Sequence, residues 1–387
     1  MSVKWQKVKL GEICSSVSDG DHLAPPKTDV GIPFVTISDI KDNRFDLSHT
    51  RFVSEEYYQR IDEKRKVHRG DVLYSVVGSY GIPVFADTDL KIAFQRHIAI
   101  LRPSERLCPK FLYYSLKNPK FYKSADGAAV GSAQKTISLS SLRRLEIDVP
   151  SLPVQKKIAS ILSAYDDLIE NNRRRIAILE EMARKEFDRI VEHARGVKTI
   201  PEVIEIDPVV PKPKSVKVRY VPMSSLSTSG MAVDLQDCEM RQSSTSVRFV
   251  NGDTLLARIT PCLENGKTGF VNFLDEGEIA CGSSEFIVLR GKTVSSYFVY
   301  CVARMERFRG CAINSMVGAS GRQRVQPACF NDFVLSIPTV KELSAFDLAV
   351  KPMFDQIGTL LKVNMKLAAA RDALLPKLMS GNFKSID

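Results

Sequence analysis

Residues 151–195, SLPVQKKIASILSAYDDLIENNRRRIAILEEMARKEFDRIVEHAR, run for about forty residues after Pro153 without a glycine or another proline. Val154, Ile158, Ile161, Tyr165, Leu168, Asn172, Ile176, Leu179, Ala183, Phe187 and Ile190 form one stripe, ten steps over 36 residues. The mean step is the 3.6-residue period of a straight α-helix. At ~1.5 Å per residue such a helix is roughly 60 Å long. A single apolar stripe calls for one partner along its length and not for a surrounding core. The chain supplies that partner in 339–381, where Phe346, Val350, Phe354, Ile357, Leu361, Asn364, Leu367, Arg371, Leu374 and Leu378 form a second stripe. Each long helix follows a block of similar size, so the expected architecture is α+β, two mixed domains with two long helices as a coiled-coil-like spacer.

The remaining chain fits that division. Residues 1–150 read as a first mixed domain, with β-like runs at 32–37, 72–77, 98–101 and 145–149 and helices over 54–64 and 109–116. Pro150 and Pro153 stop the last strand and start the first long helix, assigned to 151–199. Four prolines in 196–217 predict an extended linker, placed at 200–217. A second mixed domain occupies 218–338 and the second long helix 339–387. Pro352 is expected to kink that helix or to mark its first full turn.

The two halves repeat. Gly70-Asp71-Val72-Leu73 returns as Gly252-Asp253-Thr254-Leu255, and Ile98-Ala99-Ile100-Leu101-Arg102 as Phe286-Ile287-Val288-Leu289-Arg290. Phe111-Leu112-Tyr113-Tyr114 returns as Phe298-Val299-Tyr300-Cys301, and the run ending at Pro150 as the run ending at Pro338. All the offsets lie between 182 and 188. The apolar framework is what repeats; the polar loops differ. Gln95-Arg96-His97 becomes Ser283-Ser284-Glu285, and Gln134-Lys135-Thr136 becomes Arg322-Gln323-Arg324. One scaffold carrying two sets of loops fits two related sites that read different things; neutral loop drift is the plainer alternative.

Composition narrows the function classes. The net charge of +10 is spread along the chain, with 23 basic and 18 acidic residues in 1–150 and no polybasic tail. It permits phosphate contacts without demanding them. No run of eighteen apolar residues and no signal-peptide core is visible, and the eight cysteines make no C-x-x-C pair, so a reduced, cytoplasmic protein is expected. Catalytic signatures fail on inspection. Gly266-Lys267-Thr268 and Gly291-Lys292-Thr293 have Pro261 and Phe286 where a phosphate loop carries its first glycine. No Gly-x-Gly-x-x-Gly follows a strand, no Asn/Asp-Pro-Pro-aromatic run is present, and Glu-x-Lys occurs nowhere. The five histidines lack metal-ligand spacing. Asn172 and Asn364 interrupt the two stripes, either fixing register as a buried asparagine does in a coiled coil or sitting partly exposed.

With these features in place, the chain resembles the specificity subunit of a type I restriction–modification system. The resemblance is carried by Phe34-Val35-Thr36-Ile37-Ser38-Asp39-Ile40, Arg69-Gly70-Asp71-Val72-Leu73, Ile100-Leu101-Arg102-Pro103 and Gln134-Lys135-Thr136-Ile137-Ser138. Leu145-Glu146-Ile147-Asp148-Val149-Pro150, Asp166-Asp167-Leu168-Ile169-Glu170-Asn171-Asn172 and Leu374-Leu375-Pro376-Lys377-Leu378-Met379-Ser380-Gly381 add to it. The second block departs, lacking a Gly-x-x-Gln-Lys-x-Ile loop. The resemblance implies a non-catalytic reader of double-stranded DNA, with one half of a bipartite, asymmetric site per domain. It implies antiparallel helices that dock two methylation subunits and set the spacing between domains, with restriction subunits as further partners. No cofactor is expected in this chain. S-adenosylmethionine would belong to the methylation subunits, and ATP and Mg to the restriction subunits.

On that resemblance, loop residues expected to meet DNA are Ser79, Tyr80, Arg96, His97, Gln134 and Lys135 in the first domain. In the second they are Arg258, Thr260, Ser284, Arg322, Gln323 and Arg324. A duplicated protein-binding adaptor without DNA specificity is the alternative, and an enzyme acting alone is the third reading.

Overall fold

The computed structural model describes residues 5–381 apart from 24, 42, 48–49, 132–134, 214, 243–245 and 320. The chain divides into two compact units, Met1–Ile169 with Lys366–Asp387, and Glu170–Met365.

In the first unit, strands Cys14–Asp19, Ile98–Pro103, Val72–Ser75 and Pro83–Phe85 lie side by side in that order, each pair antiparallel. Ile98, Ala99, Ile100 and Leu101 are all buried, because this interior strand is covered on both faces. Gln6–Lys9 pairs with Glu146–Val149, and Arg51–Val53, Ile32–Val35 and Ala93–Phe94 make a second small sheet. Helices Pro109–Lys117 and Pro119–Ala128 both start on a proline, whose missing N–H costs nothing in a first turn. Phe111, Leu112 and Tyr114 from the first of them share a core with Ile158 and Leu162 of one long helix and Leu375 and Leu378 of the other.

The second unit repeats this plan. Ile204–Ile206, Phe286–Gly291, Thr254–Ala257 and Thr268–Phe270 stand in the same order, and Gly196–Thr199 pairs with Val334–Ile337. Helices Ser296–Arg304 and Glu306–Asn314 take the places of the helix pair in the first unit. Phe187 packs edge-on against Phe298 at 4.9 Å and Phe346 at 6.3 Å. Full burial of each such ring contributes roughly 1.5–3 kcal/mol.

The long helices are Leu152–Glu192 and Val340–Met379. Asn172 meets Asn364 and Phe187 meets Phe346, so within the second unit they run antiparallel. Thr339 caps the second helix, its backbone N–H and its hydroxyl both donating to Glu342 Oε2 at 2.8 and 2.7 Å. Pro352 therefore lies in the helix interior and does not mark its first turn. Leu168, expected in the first stripe, is exposed, whereas Leu162 and Ile169 are buried.

The linker expectation needs a larger correction. Residues 196–206 are ordered structure: strand Gly196–Thr199, the short helix Ile200–Val203 and strand Ile204–Ile206. A Thr199–Glu202 capping box, with the Thr199 N–H donating to Glu202 Oε2 at 2.7 Å, starts the helix. These residues match Gln6–Lys9, Leu10–Ile13 and Cys14–Asp19 of the first repeat. Pro201 sits in a first helical turn and breaks nothing.

Both units also hold one buried aspartate against an arginine. Arg102 donates to Asp71 at 2.9 and 3.1 Å, and Arg290 to Asp253 at 2.7 Å through both nitrogens. The same aspartates accept the N–H of His68 and of Val250, closing the turn before each central strand.

Candidate nucleic-acid interface

Three loops of the first unit are tied together by backbone hydrogen bonds. Val76 N–H donates to His97 O at 2.9 Å, and Ile137 N–H donates to Val76 O at 2.9 Å. Gly78 N–H donates to Lys135 O at 3.2 Å, and Val130 and Thr136 exchange two bonds of 2.9 and 2.8 Å. The end of strand Val72–Ser75, the 95–97 turn, Val130 and Lys135–Ile137 thus form one cradle.

Four side chains cluster on it. The Tyr80 hydroxyl donates to Asp126, and Lys135 Nζ donates to the same Asp126 oxygen at 2.7 Å. The Tyr80 and Tyr122 rings stack, 6.0 Å apart and 8° from parallel, and Lys135 Nζ lies 5.9 Å from the Tyr80 ring centre. The hydrogen bond to Asp126 pushes the Tyr80 phenol up to about 12. Lys135, and then Tyr80, hold the Asp126 carboxyl below its usual range. Ser79 is exposed in the turn, and its carbonyl accepts from Ser75 Oγ at 2.8 Å. His97 is half-buried; desolvation, and then the charge of Arg96, lower its pKa from 6.5, so its ring is neutral at pH 7. Arg96 is exposed at the rim of a cleft of about 300 Å³ whose walls include Lys27, Phe34, Arg51 and Phe52.

The second unit builds the same cradle from different residues. Arg258 N–H donates to Glu285 O at 2.9 Å, Val325 N–H to Arg258 O at 2.8 Å, and Thr260 N–H to Gln323 O at 3.0 Å. Val317 and Arg324 exchange two bonds of 3.0 Å, as Val130 and Thr136 do. Position by position, His97 corresponds to Glu285, Lys135 to Gln323 and Thr136 to Arg324. The side-chain chemistry is not conserved between the two. Arg324 grips the Glu285 carboxylate through Nε and Nη2 at 2.7–3.0 Å.

The structure therefore gathers Ser79, Tyr80, His97 and Lys135 in one place and Arg258, Thr260, Ser284, Gln323 and Arg324 in the other, with Arg96 and Arg322 on adjoining turns. Gln134 lies outside the described residues. Thr260 offers little to a ligand: it is buried, and its hydroxyl accepts the Gln323 N–H at 3.0 Å, latching two loops. Arg258 is half-buried, with Nη2 3.4 Å from Val325 O, and it too braces the cradle. Ser284, Arg322 and Arg324 are exposed. Lys135 and Arg324 are each paired with a carboxylate, but exposed pairs of this kind are weak and exchange readily for another anion. Sequence reasoning missed Tyr122 and Asp126. Their helix is announced by Asn118-Pro119, an N-cap followed by proline, with Asn118 Oδ1 accepting from Lys120 N–H at 3.0 Å.

Among the described residues, no group of three or more His, Cys, Asp or Glu is placed to hold a metal ion, and no helix is long and apolar enough to cross a membrane.

Comparison with known proteins shows a likeness to one family. The profile of the type I restriction modification DNA specificity domain matches residues 2–181. The chain is 24% identical over 311 residues to the type I restriction enzyme MjaIX specificity subunit of Methanocaldococcus jannaschii, covering 73% of this chain and 71% of that protein. It is 29% identical over 178 residues to the EcoBI specificity subunit of Escherichia coli, covering 43% of this chain and only 36% of that one. In fold it is similar to the crystal structure of the type I restriction-modification S subunit from M. genitalium. The TM-score is 0.55 at 15% identity, over 100% of this chain and 97% of the other.

Proposed function

We propose that the chain is a type I restriction–modification specificity subunit, and that it reads an asymmetric, bipartite DNA site, one half per mixed domain. The duplicated cradle carries this reading. One backbone hydrogen-bond pattern recurs at Val76/His97/Lys135 and at Arg258/Glu285/Gln323, holding unlike side chains in like positions. A reader of a palindrome would carry like side chains in both. Exposed polar groups on each cradle would meet base edges in the major groove, and nearby cations would meet phosphates.

The chain itself would do no chemistry. Two methylation subunits, docked on the long helices, would supply S-adenosylmethionine-dependent methyl transfer. Restriction subunits would bring ATP and Mg. The helix pair would then act as a spacer that sets the gap between half-sites.

Co-expression with methylation subunits, followed by sequencing of methylated DNA, tests the proposal. A split, asymmetric motif that appears only with this chain is the expected result. Replacing the second mixed domain with that of another subunit is expected to change one half of the motif only. Stable assembly that leaves DNA without any motif, or loss of both halves on a single swap, overturns it.

A further inference from the structure

Arg304 ends helix Ser296–Arg304, and Arg309 lies in the next helix, Glu306–Asn314. Both guanidinium groups turn onto the segment that follows Thr260. Arg304 Nη1 donates to Gly266 O at 2.9 Å and Nη2 to Ser229 O at 3.2 Å. Arg309 Nη2 donates to Glu264 O at 3.2 Å, and its Cζ lies 3.5 Å from where a side chain on Gly266 would begin.

The acceptors in these hydrogen bonds are backbone carbonyls. Among the described residues neither arginine has a carboxylate within ion-pairing distance. Glu180, which faces Gly230 in the same region, is committed to the Met231 N–H and the Tyr300 hydroxyl. This contrasts with Arg102, Arg290 and Arg324, each of which holds an acidic partner. A guanidinium has five N–H donors, and the bonds given use two on Arg304 and one on Arg309. Both Nε groups are buried without a partner. Desolvation, and then the charge of Arg304, lower the Arg309 pKa, and the nearby Glu306 carboxylate offsets this only in part. Two half-buried cations with no carboxylate at ion-pairing distance leave donors that an anion from outside can take.

The first repeat has no such pair. At the matching offset of 187, Lys117 and Tyr122 stand where Arg304 and Arg309 stand. Lys117 Nζ lies 5.8 Å from the Tyr113 ring centre, and Tyr122 stacks on Tyr80. Arg309 therefore occupies the position that, in the first unit, reaches the cradle itself.

We propose that Arg304 and Arg309 form a phosphate site beside the second cradle, and that it takes a phosphodiester of the DNA backbone. This rests on the DNA reading above. The site would anchor the second domain in register without reading sequence, and the first domain would lack its counterpart.

The test is duplex binding by the full chain, followed by anisotropy of a labelled mixed-sequence duplex across a series of salt concentrations. Each phosphate contact contributes about 0.9 to the slope of log K against log salt. Arg309→Gln is expected to lower the slope by about 1, and Arg309→Lys to keep most of it. Thermal unfolding in inorganic phosphate against chloride at equal ionic strength forms the second arm. Equal slopes for wild type and Arg309→Gln overturn the proposal and leave the DNA reading standing. Equal slopes together with phosphate stabilisation lost in Arg309→Gln identify free phosphate as the occupant and overturn the backbone assignment. Absence of salt-dependent duplex binding by the wild type removes the DNA reading, and the proposal with it.

Discussion

The Asn172 side-chain amide donates to Asn364 Oδ1 at 2.8 Å, joining the two long helices through the polar residues that interrupt their apolar stripes. Asn172 is buried, so the pair acts where an apolar side chain would otherwise sit. Asn172→Leu breaks this hydrogen bond and puts an apolar side chain against the Asn364 amide, and it is expected to destabilise the chain by about 1–3 kcal/mol, whereas leucine at both positions recovers most of that loss. Denaturant midpoints of the three variants check this; additive losses in the double variant would rule out the pairing as the reason for the asparagines.

The buried aspartates give a prediction local to one unit. Asp253→Ala strands Arg290 and the Val250 N–H, and a loss of about 3 kcal/mol is expected from breaking such a pair on one side. Hydrogen exchange should quicken in Thr254–Ala257 and Phe286–Gly291 and stay unchanged in Val72–Ser75.

Gly81 lies beside the proposed recognition cradle. Its φ of +88° suits glycine, and an added Cβ would lie 2.5 Å from the Tyr122 ring. On the proposed DNA reading, Gly81→Ala is expected to push Tyr122 off Tyr80 and weaken binding to the recognised duplex about tenfold, or ~1.4 kcal/mol. The relaxed specificity should appear in one half-site only. Motif sequencing reads it directly.

His97 sets a pH dependence. Its folded pKa is lowered, so the unfolded chain takes up the proton first as pH falls through 6.5. Native stability contributed by the neutral ring is complete above that value and declines on acidification towards the folded pKa. His97→Gln should flatten this part of the stability–pH curve, and NMR of the ring should place its midpoint below 6.5.

Much of the framework was legible from residue order. Apolar period, the two stripes and the repeated Gly-Asp runs leave a local signature, because each depends on neighbours three or four residues away or on one turn. The start of the second domain was misread because four prolines between 196 and 217 outweighed the Thr199-x-x-Glu202 capping signal. Leu168 was misassigned because a periodic stripe fixes a helix face only to within a residue or so once the helix meets a folded domain.

The sequence by itself determined that this is a duplicated protein with two long helices, two divergent loop sets and no catalytic signature. Tertiary structure alone decided which loop residues stand together. The bonds from Val76 to His97, Gly78 to Lys135 and Thr260 to Gln323 join backbone groups far apart in the chain. Every residue but proline carries the same N–H and every residue the same C=O, so no choice of side chain announces such a bond. The same holds for Thr260, turned from a contact into a latch, and for Arg304 and Arg309, made neighbours by the junction of two helices over one turn.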